Sequence, residues 1–118
     1  MDNGKEYDLE RRTFDFAKRV RDFIRIIPRT IANIEDSKQV VRSSGSVAAN
    51  YREANESLSK KDFVMRVKIS RKESKESELW LKLIDPGSAE EIRAEQGYLA
   101  AEAVELMKIF GSIIRKSE

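Results

Sequence analysis

The 118-residue sequence contains no cysteine and no histidine. Those absences exclude disulfides, thiolate nucleophiles, zinc fingers, Ser-His-Asp triads, histidine general bases and the Glu-x-x-His di-iron motif of helical bundles. Five glycines and two prolines are too few for a loop-rich or all-β fold. No apolar run approaches the roughly 20 residues that span a bilayer. The opening Met1-Asp2-Asn3-Gly4-Lys5-Glu6 is polar and acidic, unlike a signal peptide. A cytoplasmic protein is therefore expected, and the lack of cysteine is compatible with that compartment. The length suits one domain with a single modest core.

What is present is charge. Charged residues make up 37% of the chain, against roughly 25% in an average domain, while 40% are hydrophobic, enough to fold. The net charge is only +2, but it is unevenly spread. Residues 60–83 carry eight basic and four acidic side chains; residues 85–118 carry four basic and seven acidic ones. The asymmetry predicts a basic face and an acidic face, serving an anionic partner or the attraction of neighbouring helices or subunits. Nucleic-acid binding is permitted by this balance and not demanded by it.

Four segments show helical periodicity. In residues 8–27, Leu9, Thr13, Phe16, Val20, Phe23 and Ile27 recur in steps of three and four, flanked by Ala17 and Ile24. Asp8 is the expected N-cap, Pro28 the terminator, and residues 1–7 are expected to be flexible. Residues 33–56 form the second segment, opened by Asn33 and Asp36, with a stripe of Ile34, Ser37, Val41, Ser44, Ala48 and Tyr51. Val40, Val47 and Ala54 add a neighbouring line. Its Ser43-Ser44-Gly45-Ser46 centre either admits a close neighbouring helix or breaks at Gly45. In residues 60–84, Ser59 and Asp62 mark the start. Phe63, Val67, Ser70, Ser74, Ser77, Leu81 and Ile84 form a stripe whose serine centre matches the small residues of the second segment. Asp85-Pro86-Gly87 is a turn signal. Residues 88–115 open on a capping box, Ser88 with Glu91, and continue through Ala89, Ile92, Gln96, Leu99, Ala103, Leu106, Phe110 and Ile113. Four amphipathic helices with short connectors predict a single all-α domain, an antiparallel up-down four-helix bundle.

Three blocks stand in order along the middle of the chain: Ser46-Val47-Ala48-Ala49-Asn50-Tyr51-Arg52-Glu53-Ala54, Ser59-Lys60-Lys61-Asp62-Phe63, and Lys72-Glu73-Ser74-Lys75-Glu76-Ser77-Glu78-Leu79-Trp80-Leu81. Together they resemble the bacterial four-helix-bundle proteins related to those encoded in 23S ribosomal RNA intervening sequences, and the accessory subunit of diversity-generating retroelements. The first and fourth helices match mainly in pattern. The resemblance implies an up-down bundle that assembles into a homopentameric ring and has no known enzymatic activity. It also implies, for some relatives, nucleic-acid binding beside a reverse transcriptase.

Three groups of candidate residues follow. Lys61, Lys68, Arg71, Lys72 and Lys75 of the third segment, with Arg11, Lys18 and Arg25 repeating every seven residues on the first, are candidates for contacting RNA or DNA phosphates. The competing reading is a solvated face balanced by Glu73, Glu76 and Glu78. Met65, Ile69, Trp80 and Leu83 form a second apolar set on the third segment, a candidate oligomer interface, unless Trp80 belongs to the monomer core. Asn50, Tyr51, Arg52 and Glu53 form the most recognisable block. They are read as a structural polar network joining Asn50 or Arg52 to Glu73 or Glu76, since buried polar groups need partners. No catalytic residue, cofactor or metal ligand is expected, and a protein-interaction scaffold stands as the alternative function.

Overall fold

The computed structural model describes residues 4–118, with side chains described from Leu9 onward. Residues 1–3, part of the stretch expected to be flexible, lie outside the described residues. Four helices follow one another: α1 (Gly4–Ile24), α2 (Ile31–Asn55), α3 (Lys60–Leu83) and α4 (Glu90–Ser117). Contacts run round a ring, α1 with α2, α2 with α3, α3 with α4, and α4 back to α1, as an up-down bundle requires. The α2–α3 and α3–α4 seams are the most extensive and α1–α4 the sparsest.

The α1 stripe is the core stripe of the sequence: Leu9, Thr13, Phe16, Val20, Phe23 and Ile27 are all buried. Asp8 is not its N-cap, because the helix starts at Gly4 and Asp8 lies inside it. The helix ends before Pro28, whose ring would clash with the preceding turn of a continuing helix.

In α2 the buried side is rotated from the expected one. Asn33, Val40, Ser43, Ser44, Val47, Tyr51 and Ala54 are buried, while Ile34 is exposed and Ser37, Val41 and Ala48 are half-buried. The reason is that α2 has two large neighbours, and its buried face centres on the seam toward α3. There the serines meet. Ser43 Oγ and Ser77 Oγ lie 2.7 Å apart, Ser70 Oγ donates to Val47 O (3.0 Å), and Ser74 Oγ donates to Ser70 O (2.8 Å). Each buried hydroxyl thus has a partner in a seam too tight for larger side chains. The helix runs unbroken through Gly45. A Cβ there would stand 3.2 Å from Arg21 Nη2, and the bare backbone lets that side chain cross from α1 to donate to Val41 O (3.2 Å).

Asn33 is not a start signal; Thr30 caps α2, its hydroxyl accepting from Asn33 N. The Asn33 side chain joins the two loops at that end of the bundle. Its Nδ2 donates to Pro28 O (2.9 Å) and Asp85 O (2.8 Å), and its Oδ1 accepts from Asp85 N (2.9 Å). Ser59 caps α3 as expected, accepting from Asp62 N. The Asp85-Pro86-Gly87 turn forms, with Asp85 Oδ1 accepting from Gly87 N and Gly87 at φ 78°, a conformation other residues rarely adopt. The Ser88–Glu91 capping box does not form. Ala89, one residue past the serine, takes the cap position, and its methyl side chain has no oxygen to accept from the free backbone N–H groups. Gln96 is a hydrogen-bonding residue of the core edge, its Nε2 donating to the α3 carbonyls of Leu81 (2.9 Å) and Ile84 (2.6 Å). No helix is long and apolar enough to cross a membrane among the described residues.

Candidate functional site

The surfaces of α3 divide by angle. At 100° per residue, Val67, Ser70, Ser74, Ser77 and Leu81 point inward and are buried. Glu73, Arg66 and Trp80 lie on the α2 side. Lys68, Arg71 and Lys75 lie on the α4 side, and Met65, Ile69, Lys72, Glu76, Leu79 and Leu83 run along the outer face.

The glutamates of α3 are bonded away from the row of Lys68, Arg71, Lys72 and Lys75. Glu73 is buried and accepts from Arg42 of α2 (Nη2, 3.0 Å), which also reaches Glu76 (3.3 Å); Glu78 pairs with Lys82 (3.4 Å). The bonded Glu73 raises the Arg42 pKa against the opposing effect of burial. Two acidic residues of α4, Glu95 and Glu102, are bonded toward α1. Arg12 makes two bonds to Glu102 (2.7 and 2.9 Å), and Arg19 two to Glu95 (2.6 and 2.9 Å) while lying 3.8 Å over the Tyr98 ring. These bonds likewise raise both arginine pKa values. The helix attraction suggested by the charge asymmetry is therefore between α4 and α1, where apolar contact is thinnest, and not between α4 and α3.

The basic side of α3 is left without such partners. Lys61, Lys68, Arg71, Lys72 and Lys75 are exposed, and none forms an ion pair among the described residues. Lys68, Arg71, Lys72 and Lys75 line one hollow with Met107 and Ile114 of α4 and Glu118 just past its end; Lys60, Lys61 and Lys68 line the adjoining one. Arg115, which was not among the candidate cations of the sequence, lies beside Gly111 near Arg71. From Lys61 to Lys75 the stripe is about 21 Å long at 1.5 Å per residue.

The other candidate cations do not join them. Arg11, Lys18 and Arg25 face grooves between α1 and α2, and Arg11 and Arg25, the latter just past the helix end, pair with Asp15 and Asp22 of α1. The expected polar network exists in different hands. Asn50 accepts from Arg66 (3.0 Å) and donates to Ser46, and Arg52 lies 3.8 Å from Glu10 of α1. Neither reaches Glu73 or Glu76, whose cation is Arg42. Tyr51 is buried against Phe110, ring centroids 5.8 Å apart, and Glu53 is exposed. Of the second apolar set, Met65 and Leu83 are about half exposed and Ile69 is half-buried, but Trp80 packs against the core with its Nε1 buried. Leu79, half exposed, occupies the outer line in its place. The one-residue difference follows from the helix phase, which only the position of α2 fixes.

Fold and surface together define a small all-α bundle with a seam of positive charge that no ion pair neutralises among the described residues. The chain belongs to the 23S rRNA-intervening sequence protein family, whose model matches residues 5–110. It is similar to a crystal structure of a protein with unknown function from the S23 ribosomal protein family of Bacteroides thetaiotaomicron. The identity is 28% and the TM-score 0.74, over 89% of this chain and 96% of that one. No curated protein matches the chain.

Proposed function

We propose that this protein is a non-catalytic, homo-oligomeric helical bundle of the cytoplasm. On this reading it binds nucleic acid, alone or beside a nucleic-acid-processing enzyme such as a reverse transcriptase, on the α3–α4 face. The observation that carries the reading is the row Lys61, Lys68, Arg71, Lys72 and Lys75, exposed and without bonded carboxylates among the described residues, while the neighbouring glutamates are held by Arg42 and Lys82. That arrangement counts against a merely balanced, solvated face. Cations of this kind contact phosphates, giving affinity without base specificity. Self-association is supported by the exposed line of Met65, Leu79 and Leu83 with half-buried Ile69. Repeating a weak basic seam around an oligomer multiplies its hold on a polyanion.

The test is a binding titration against labelled RNA and DNA over a range of salt. Lys68→Gln, Lys72→Gln and Lys75→Gln combined are expected to weaken duplex binding at least tenfold at low salt. The slope of log K against log salt is expected to fall by about 2.7, near 0.9 for each phosphate no longer neutralised. Absence of binding by the unaltered protein to every nucleic acid at low salt rejects the reading. Capture of one defined protein after nuclease treatment, undiminished in the triple variant, favours a protein-interaction scaffold instead.

A further inference from the structure

Arg71 of α3 and Arg115 of α4 meet across the seam above Gly111. Gly111 is buried, and a Cβ built on it would stand 3.5 Å from Arg115 Nη1 and 3.6 Å from Arg71 Nε. The two nitrogens can therefore be no farther apart than the sum of those distances. Two like charges this close repel, and no described carboxylate bonds either of them. Three other arginines that reach across helices, Arg12, Arg19 and Arg42, each hold a glutamate with two bonds, and Arg21 and Arg66 bond a backbone carbonyl and an amide of α2. In the hollow that Arg71 lines, Lys68, Lys72 and Lys75 add positive potential, Met107 and Ile114 supply an apolar wall, and Glu118 is the acidic residue of the lining.

We propose that Arg71 and Arg115 form a clamp for one phosphate group, each guanidinium donating to a different phosphate oxygen. Two charge-assisted bonds of about 2.8 Å to different oxygens of one phosphate can bridge donor nitrogens lying within that upper bound. The clamp rests on the nucleic-acid reading above for the source of the phosphate, and it gives that reading a defined contact within an otherwise diffuse field. The lysines act as point charges at a range of positions, whereas the arginine forks require one geometry. Because the two side chains come from different helices, a bound phosphate also joins α3 to α4.

The distinguishing experiment keeps the charge and changes the geometry. The double variant Arg71→Lys with Arg115→Lys has the same net charge as the unaltered protein. Binding of inorganic pyrophosphate, and separately of a short RNA duplex and a short DNA duplex, is measured by titration, with the arginine Nε–H signals followed by NMR. The unaltered protein is expected to shift the Arg71 and Arg115 signals first. The double variant is expected to lose at least tenfold in pyrophosphate affinity, while Lys38→Arg, on α2 and paired with Glu35, leaves it unchanged. Equal affinity in the double variant, or pyrophosphate binding that moves neither arginine signal, overturns the clamp. Pyrophosphate bound with the expected arginine shifts but neither duplex bound leaves the clamp standing and rejects the nucleic-acid reading. Thermal unfolding of each variant checks the fold; if the double variant unfolds, the single Arg71→Lys is expected to lose at least threefold, and no loss there overturns the clamp.

Discussion

Replacing Asn33 tests whether one buried side chain holds the two loops at the same end of the bundle. It is 2% exposed and makes three hydrogen bonds of 2.8 to 2.9 Å, to Pro28 O, Asp85 O and Asp85 N. Asn33→Ala removes all three and leaves backbone groups in a site from which the side chain excluded water. At about 1 kcal/mol for each lost bond, with part of the desolvation cost of the orphaned groups added, the expected loss is about 3 kcal/mol. For a domain of this length that corresponds to a fall in Tm of roughly 10 °C. Urea unfolding followed by helical circular dichroism measures it directly, and a loss below about 1 kcal/mol would refute the reasoning, since packing or water would then be holding the loops. Asn33→Asp sharpens the test with pH. A carboxylate there faces two carbonyl oxygens, so the folded state favours its protonated form and its pKa rises above the unfolded value of about 3.9. Between those two pKa values the folded state binds more protons than the unfolded one. The variant's deficit relative to the unaltered protein is therefore smallest below the unfolded pKa and grows as pH rises through the folded pKa. A deficit independent of pH would place the side chain in water.

The remaining predictions concern the seams and the outer face. Ser77→Ala is expected to cost about 1 kcal/mol by leaving the Ser43 hydroxyl without its 2.7 Å partner, and the double variant with Ser43→Ala less than the sum of the singles; strict additivity in a double-mutant cycle argues against that bond. Ser74→Leu, at a fully buried position of the same seam, is expected to cost at least about 3 kcal/mol in urea unfolding by forcing α2 and α3 apart; a smaller loss would mean the seam has slack. Leu79→Glu with Leu83→Glu is expected to shift light scattering toward a monomer with helicity unchanged, and an unaltered protein already monomeric at micromolar concentration removes the case for self-association. Trp80→Glu, by contrast, is expected to lower the unfolding midpoint, because that ring packs against the core; an unchanged midpoint would return Trp80 to the surface.

Much of this was legible in the order of residues alone, and particular elements show why. The α1 stripe from Leu9 to Ile27 was readable because it is strongly apolar and packs against a single core, so period and burial coincide. The serine centre of α3 was readable as a seam because only small residues let two helix backbones approach, and those of α2 lay at the matching place. The basic residues of α3 were visible in the sequence; whether they were neutralised was not, since Glu73 and Glu76 stand on the same helix at pairing distance. Tertiary structure decided that by turning both toward Arg42 of α2. It also decided the roles of Asn33 and of Arg71 with Arg115. Their partners lie far off in sequence, on elements whose relative rotation no local pattern encodes. Helix identity and the inward stripe thus follow from local periodicity, a property of the chain. Which charges neutralise one another and which are left to face a partner follows from helix phase and neighbour, because electrostatic bonds depend on distances that exist only once the bundle has closed.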